Sequence, residues 1–202
     1  MKKKYNLVPW SIQKKNKLMK VDKTLGSYFW IKRKKYLDFC SQLVNINLGF
    51  QHPKILKAII KQTKKISFIG PKFENENREK LAKLLIDIYP GKMGKVFFSD
   101  SGARANEIAC IIAKQYTKKQ KILAREITSY HGATKYTASF SGDARRKMIN
   151  ASNKDSVFFS DPIIYACPSS KTYPNCKISK PKEIDKILKK NISIAAIILE
   201  PI

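Results

Sequence analysis

The stretch Val96-Phe97-Phe98-Ser99-Asp100-Ser101-Gly102-Ala103-Arg104-Ala105-Asn106-Glu107 changes character half-way along. A short apolar run ends in small residues, which open directly into an amphipathic pattern. The first N–H groups of a helix have no partner within it and lie at its positive end. Several backbone N–H groups there and the Ser101 hydroxyl therefore make an arrangement suited to a phosphate. A plain helix cap is the other reading of the same residues, since Ser favours that position. The stretch fits neither GxGxxG nor the GxxxxGKS/T pattern, so neither a dinucleotide fold nor a nucleotide triphosphatase is supported. A second stretch, Tyr130-His131-Gly132-Ala133-Thr134, offers an aromatic that could lie flat on a planar ligand, beside a Gly that lets backbone approach closely. Packing and capping are the alternative uses of Tyr130 and His131.

The surrounding pattern places both stretches. Residues 5 to 50 alternate short aromatic and polar segments around basic turns such as Lys32-Arg33-Lys34-Lys35, a hairpin signal. A helix is expected from Pro53, with Ile55, Leu56, Ile59 and Ile60 on one face, and another from about Glu74 to Tyr89 on Leu81, Leu84, Leu85 and Ile88. Lys95 to Ser99 reads as a short buried strand. Ser101 to Tyr116 reads as a helix with Ala105, Ile108, Ala109, Ile112, Ala113 and Tyr116 as its apolar stripe. A strand at Ile122 to Ala124, a helix from Pro181 with Ile184, Ile187 and Leu188 inward, and an apolar strand from Ile194 to Glu200 follow. Strands alternating with helices, and apolar on both faces, indicate an α/β fold with a mainly parallel sheet flanked by helices. Ligands of such sheets bind at the carboxyl ends of the strands, where both stretches fall.

Composition narrows the class. The 202 residues carry 41 Lys and Arg against 15 Asp and Glu, a net charge of +26. Residues 1 to 65 hold 17 of those bases and only Asp22 and Asp38 as acids. A basic nucleic-acid-binding module is the alternative this charge offers, but the Lys are spread through helices and turns and no nucleic-acid motif is visible. Only six bases are Arg, a bias that fits an A/T-rich coding sequence. With 43% hydrophobic residues the chain can build a core. No apolar run reaches the roughly 18 residues of a membrane span. Polar residues follow Met1-Lys2-Lys3-Lys4 where a signal peptide would be apolar, so a cytoplasmic protein away from membranes is expected. Cys40 and Cys110 read as small core residues. Cys167 and Cys176 have no second pair or nearby His to complete a zinc site, so no metal is expected.

Four ordered blocks resemble the class III pyridoxal-phosphate-dependent aminotransferases of fold type I. They are Tyr36-Leu37-Asp38-Phe39 through Asn47-Leu48-Gly49-Phe50-Gln51-His52-Pro53; Val96 to Glu107; Ser129 to Thr134 with Ser141-Gly142-Asp143; and Ala195-Ala196-Ile197-Ile198-Leu199-Glu200-Pro201. The resemblance implies a partial large domain over residues 54–202, preceded by an N-terminal strand and hairpin segment of the small domain over residues 1–53. It implies pyridoxal 5'-phosphate (PLP) as cofactor, with its phosphate on Ser101, Gly102 and Ala103, Tyr130 stacked on its ring, and His131 and Gly132 shaping the pocket. It makes Trp10 and Leu43 substrate-lining, and Glu107 and Glu200 acids near the active site.

The implied reaction moves an amino group from an amino acid or ω-amino donor to a 2-oxo acid. The family forms homodimers. Its Schiff-base Lys and pyridine-nitrogen Asp lie beyond the Glu-Pro matched by Glu200-Pro201, so residues 1–202 are expected to be inactive alone and to need a C-terminal half, which a separate gene could encode. Three positions depart from the family. Phe50 stands in its Gly-His-x-His-Pro motif, Ala103-Arg104 in its Ser-Gly-Ser-Glu-Ala-Asn, and Ala133 replaces the Arg that binds 4-aminobutyrate or ornithine carboxylates. Pro9-Trp10-Ser11 and Ser41 to Asn45 look more like members using taurine or another ω-amino donor.

Overall fold

The computed structural model describes residues 5–9, 11–127, 129–160 and 180–200, in two compact units, residues 1–80 and 81–202. The expectations on Trp10, Cys167 and Cys176 lie outside the described residues.

In the first unit, β1 (Lys23–Leu25), β2 (Tyr28–Ile31) and β3 (Lys34–Leu37) form an antiparallel meander in that order. The turn between β2 and β3 is only Lys32-Arg33, both at positive φ (48° and 67°). This twist matches that of the flanking strands. Lys34 and Lys35, expected in the turn, are strand residues, and the Lys35 ammonium sits 3.7 Å from the centre of the Tyr28 ring. Phe29 stacks on its cross-strand partner Tyr36 at 5.4 Å. Gly26 and Phe50 exchange backbone hydrogen bonds of 3.0 and 2.7 Å, which tie the hairpin to the segment before the next helix.

Ser41 to Val44 form one left-handed turn, with φ from 47° to 65°. Cys40, expected in a core, is exposed there. It follows β3 in a turn where the Asp38 carboxylate accepts its N–H, so no strand alternation turns it inward. Helix α1 (Pro53–Lys65) starts on Pro as expected, yet Ile55, Leu56, Ile59 and Ile60 are 42 to 57% exposed. Ile31 is the only buried hydrophobic residue described in this unit.

Helix α2 (Glu76–Ile88) is followed by irregular chain where the sequence predicts a strand. Lys95 to Ser99 is not a strand and Phe97 is 63% exposed, because no described strand takes up its backbone hydrogen bonds. Then come α3 (Gly102–Thr117), β4 (Lys121–Arg125), α4 (Lys135–Ser139), α5 (Arg145–Met148), β5 (Ser156–Phe159), α6 (Lys180–Lys190) and β6 (Ile194–Ile197). The sheet is parallel, in the order β5-β4-β6. Side chains alternate across β4 and both faces are covered. Ile122 and Ala124 pack with Cys110 and Phe140, while Leu123 packs with Phe159, Ile194 and the α6 residues Ile184 and Ile187. Leu188, expected inward, is 38% exposed.

Helix α3 also turns differently from its apolar stripe. Ile112 and Tyr116 are exposed, and the inward face runs through Ala103, Asn106, Cys110, Ala113 and Lys114. Polar members of that face are held by specific bonds. The Lys114 ammonium, for one, meets Asp155 at 2.9 Å and lies 5.3 Å from the Tyr136 ring centre. Among the described residues no helix is long and apolar enough to cross a membrane.

Candidate active site

Helix α3 begins where the apolar run ends. Ser101 is its cap, in an extended conformation, and its hydroxyl accepts the Arg104 N–H at 3.3 Å. Its carbonyl accepts the Ala105 N–H at 2.9 Å. Among the described residues nothing accepts the N–H groups of Gly102 and Ala103, and the space a Gly102 side chain would occupy is open for 4 Å. Two donors at the positive end of a 16-residue helix are therefore left unpaired among the described residues. The cap and the anion site, alternatives in the sequence, are compatible here.

The second stretch, in the loop between β4 and α4, packs against this helix end. Gly132 sits at φ 137°, and a β-carbon there would come within 2.7 Å of the Ala103 β-carbon and 2.5 Å of the Thr137 hydroxyl. Only Gly fits so close an approach at that dihedral. The Asn106 side-chain amide donates to the His131 carbonyl at 2.7 Å, and the Thr134 hydroxyl donates to the Glu107 carboxylate. The His131 N–H donates to the Ser141 hydroxyl at 2.9 Å. Gly142 closes the loop on β4: its N–H donates to the Ser129 hydroxyl, and a β-carbon would meet the Glu126 carbonyl at 2.6 Å. Tyr130 is held from β6, since the Glu200 carboxylate accepts its N–H at 3.0 Å. The other Glu200 oxygen lies 3.6 Å from the Arg125 guanidinium at the end of β4.

His131 is buried, and among the described residues its Nε2 has no partner. Burial, opposed by Glu200 and reinforced by Arg125, holds its imidazole below the ordinary value, so the neutral ring is favoured. Its ring lies 5.8 Å from Phe140, which Tyr136 meets edge-on.

Ser101, Gly102, Ala103, Glu107, Tyr130, His131, Gly132 and Glu200 thus converge on the carboxyl edge of one sheet. Leu43 belongs to the other unit, on the left-handed turn, and is 84% exposed. The sequence reading gave no role to Asn106, Thr134, Ser141 or Arg125. Asn106 lies one turn along α3 from Gly102, a spacing that could have marked it as site-facing. Arg125 carried no such signal.

A sequence profile described as Aminotransferase class-III matches residues 11–202. The chain belongs to the class III aminotransferases. The adenosylmethionine-8-amino-7-oxononanoate aminotransferase of Aquifex aeolicus is 32% identical in an alignment 190 residues long that covers 87% of this chain and 41% of that relative. The taurine:2-oxoglutarate aminotransferase of Bifidobacterium kashiwanohense, solved in complex with PLP and glutamate, superposes with a TM-score of 0.85 at 32% identity over 96% of this chain and 45% of that one. An omega transaminase from Pseudomonas jessenii has the same fold, with a TM-score of 0.88 at 22% identity. This class III chain spans less than half the length of the relatives it matches. Membership in the family leaves the nucleic-acid module unsupported; the basic surface belongs to an aminotransferase fold.

Proposed function

We propose that residues 101–132 form the cofactor site of a PLP-dependent aminotransferase that moves an amino group from an amino acid or ω-amino donor to a 2-oxo acid. The supporting observation is the close packing at Gly132, where an added β-carbon would lie 2.7 Å from the Ala103 β-carbon, so that the Tyr130-His131-Gly132 turn sits against the amino end of α3. The donor set fits PLP. The Gly102 and Ala103 N–H groups and the Ser101 hydroxyl suit a phosphate dianion, and Tyr130 at the loop suits a flat ring beside it. When bound, PLP supplies an electron sink for the electrons released at the carbon that carries the amino group. Neutral, buried His131 would shape the pocket without adding a charge. Glu107 holds Thr134, and Glu200 holds the Tyr130 backbone, so both acids orient the loop. Ala133 offers no cation to a second carboxylate, which favours donors other than 4-aminobutyrate and ornithine. Turnover is assigned to the whole enzyme, and phosphate and ring binding to these residues.

The test is binding. Equilibrium dialysis of the full chain is expected to find PLP held at least about tenfold more tightly than pyridoxal, which lacks the phosphate. Gly102→Pro removes one N–H at the first helical position, where Pro is tolerated. The extended Ser101 (φ −159°, ψ 157°) is compatible with a following Pro. This variant is expected to erase most of that preference while helicity by circular dichroism is kept. Equal affinity for PLP and pyridoxal would sink the assignment.

A further inference from the structure

The Tyr130 backbone is fixed by a carboxylate from a different strand, and that carboxylate has its own anchor. Glu200 stands just past β6 and gives one oxygen to the Tyr130 N–H at 3.0 Å, and the other faces the Arg125 guanidinium at 3.6 Å. Arg125 ends β4, the central strand, and only 10% of its side chain is exposed, against 36% for Glu200. A carboxylate that exposed would ordinarily exchange its protein partners for water. A nearly buried cation beside it opposes that exchange, and a charge-assisted bond to an N–H is directional. The same strand end holds the loop from its other side, since the Arg125 carbonyl accepts the Ser129 hydroxyl at 3.0 Å. The chain Arg125, Glu200, Tyr130 thus runs across the carboxyl edge of β4 and β6 and stops at the aromatic.

We propose that Arg125 is a positioning residue for the ring site: its guanidinium holds Glu200, and Glu200 sets the backbone from which the Tyr130 ring projects. The influence of the Arg125 guanidinium on Tyr130 runs through the Glu200 carboxylate, so it depends on a cation at that point more than on the shape of the side chain. Arg125→Lys therefore keeps part of the function and Arg125→Gln loses it. The proposal rests on the reading of Tyr130 as the residue that stacks on the cofactor, and two separate readouts keep the two ideas apart.

The first readout needs no cofactor. In the full chain carrying isotope-labelled tyrosine, the Tyr130 amide signal, assigned by its loss in Tyr130→Phe, reports the bond to Glu200. Arg125→Gln and Glu200→Gln are each expected to move that signal toward the position of a weaker hydrogen bond and to speed its exchange with solvent by about tenfold. Arg125→Lys is expected to fall between them and the parent. Should Arg125→Gln not fold, Glu200→Asp withdraws the carboxylate by one methylene with its charge intact and is expected to move the signal in the same direction. The second readout is PLP affinity by dialysis, expected to fall about tenfold in Arg125→Gln and to recover at least in part in Arg125→Lys. An unchanged Tyr130 amide in Arg125→Gln, or a Lys variant no better than Gln, overturns the positioning role. A parent chain that shows no preference for PLP overturns the cofactor reading, and the amide signal still decides the role of Arg125.

Discussion

The two units are built by different rules. Residues 1–80 hold together mainly by local means, namely a two-residue turn between strands, a left-handed turn, cross-strand aromatic pairs, and one helix whose apolar face stays largely exposed, with the Gly26 to Phe50 bonds as a longer tie. Residues 81–202 are organised around β4, whose Ile122, Leu123 and Ala124 are at most 1% exposed, and around polar bonds that join positions 25 to 70 residues apart. A conformation set locally tolerates change nearby. One set by distant partners does not, and the site residues of the second unit depend on such partners.

Paired substitutions sharpen this contrast. Gly132→Ala combines a clash with helix α3 and a dihedral that Ala resists, and should cost about 4 kcal/mol. Gly26→Ala, at φ 56° with nothing within 4 Å, should cost about 1 kcal/mol. Urea unfolding of the two variants measures both, and equal losses would break the comparison. Leu123→Ala empties a fully buried position and should cost about 3 kcal/mol. Ile59→Ala, 57% exposed, should cost less than about 1 kcal/mol. The smallest effect concerns pH. Because the folded pKa of His131 is held below its unfolded value, the unfolded chain binds the proton more readily. The stability contributed is therefore complete above about pH 6.5 and is lost as pH falls through the folded value. His131→Gln should lose less stability on acidification than the parent over that window, and identical slopes would contradict the burial argument.

Much of this was legible in the residues. The four blocks identified the family, and Ser101-Gly102-Ala103 and Tyr130-His131-Gly132 meet as expected. Elements with a local cause, such as the Pro53 start of α1 and the Ser101 cap of α3, were readable one by one. Failures came where burial depends on neighbours. The strand expected at Lys95 to Ser99 needs a partner for its backbone, and no periodicity supplies one. The stripe on α3 marked where apolar residues lie, whereas the helix turns inward the face on which Asn106 and Lys114 find partners. Cys40 was misplaced because average burial of a residue type says nothing about a turn set by Asp38. Arg125 was invisible because its partner lies 75 residues away.

The strand order has a consequence for how the molecule is made. In β5-β4-β6 the central strand is the first of the three to leave the ribosome. At about 5–20 residues per second, the roughly 70 residues that separate β4 from β6 take on the order of 3–14 s to synthesise. Throughout that interval Ile122, Leu123 and Ala124 have an open edge. A segment that ends fully buried is therefore, during synthesis, a sticky edge that a chaperone or another nascent chain can reach first.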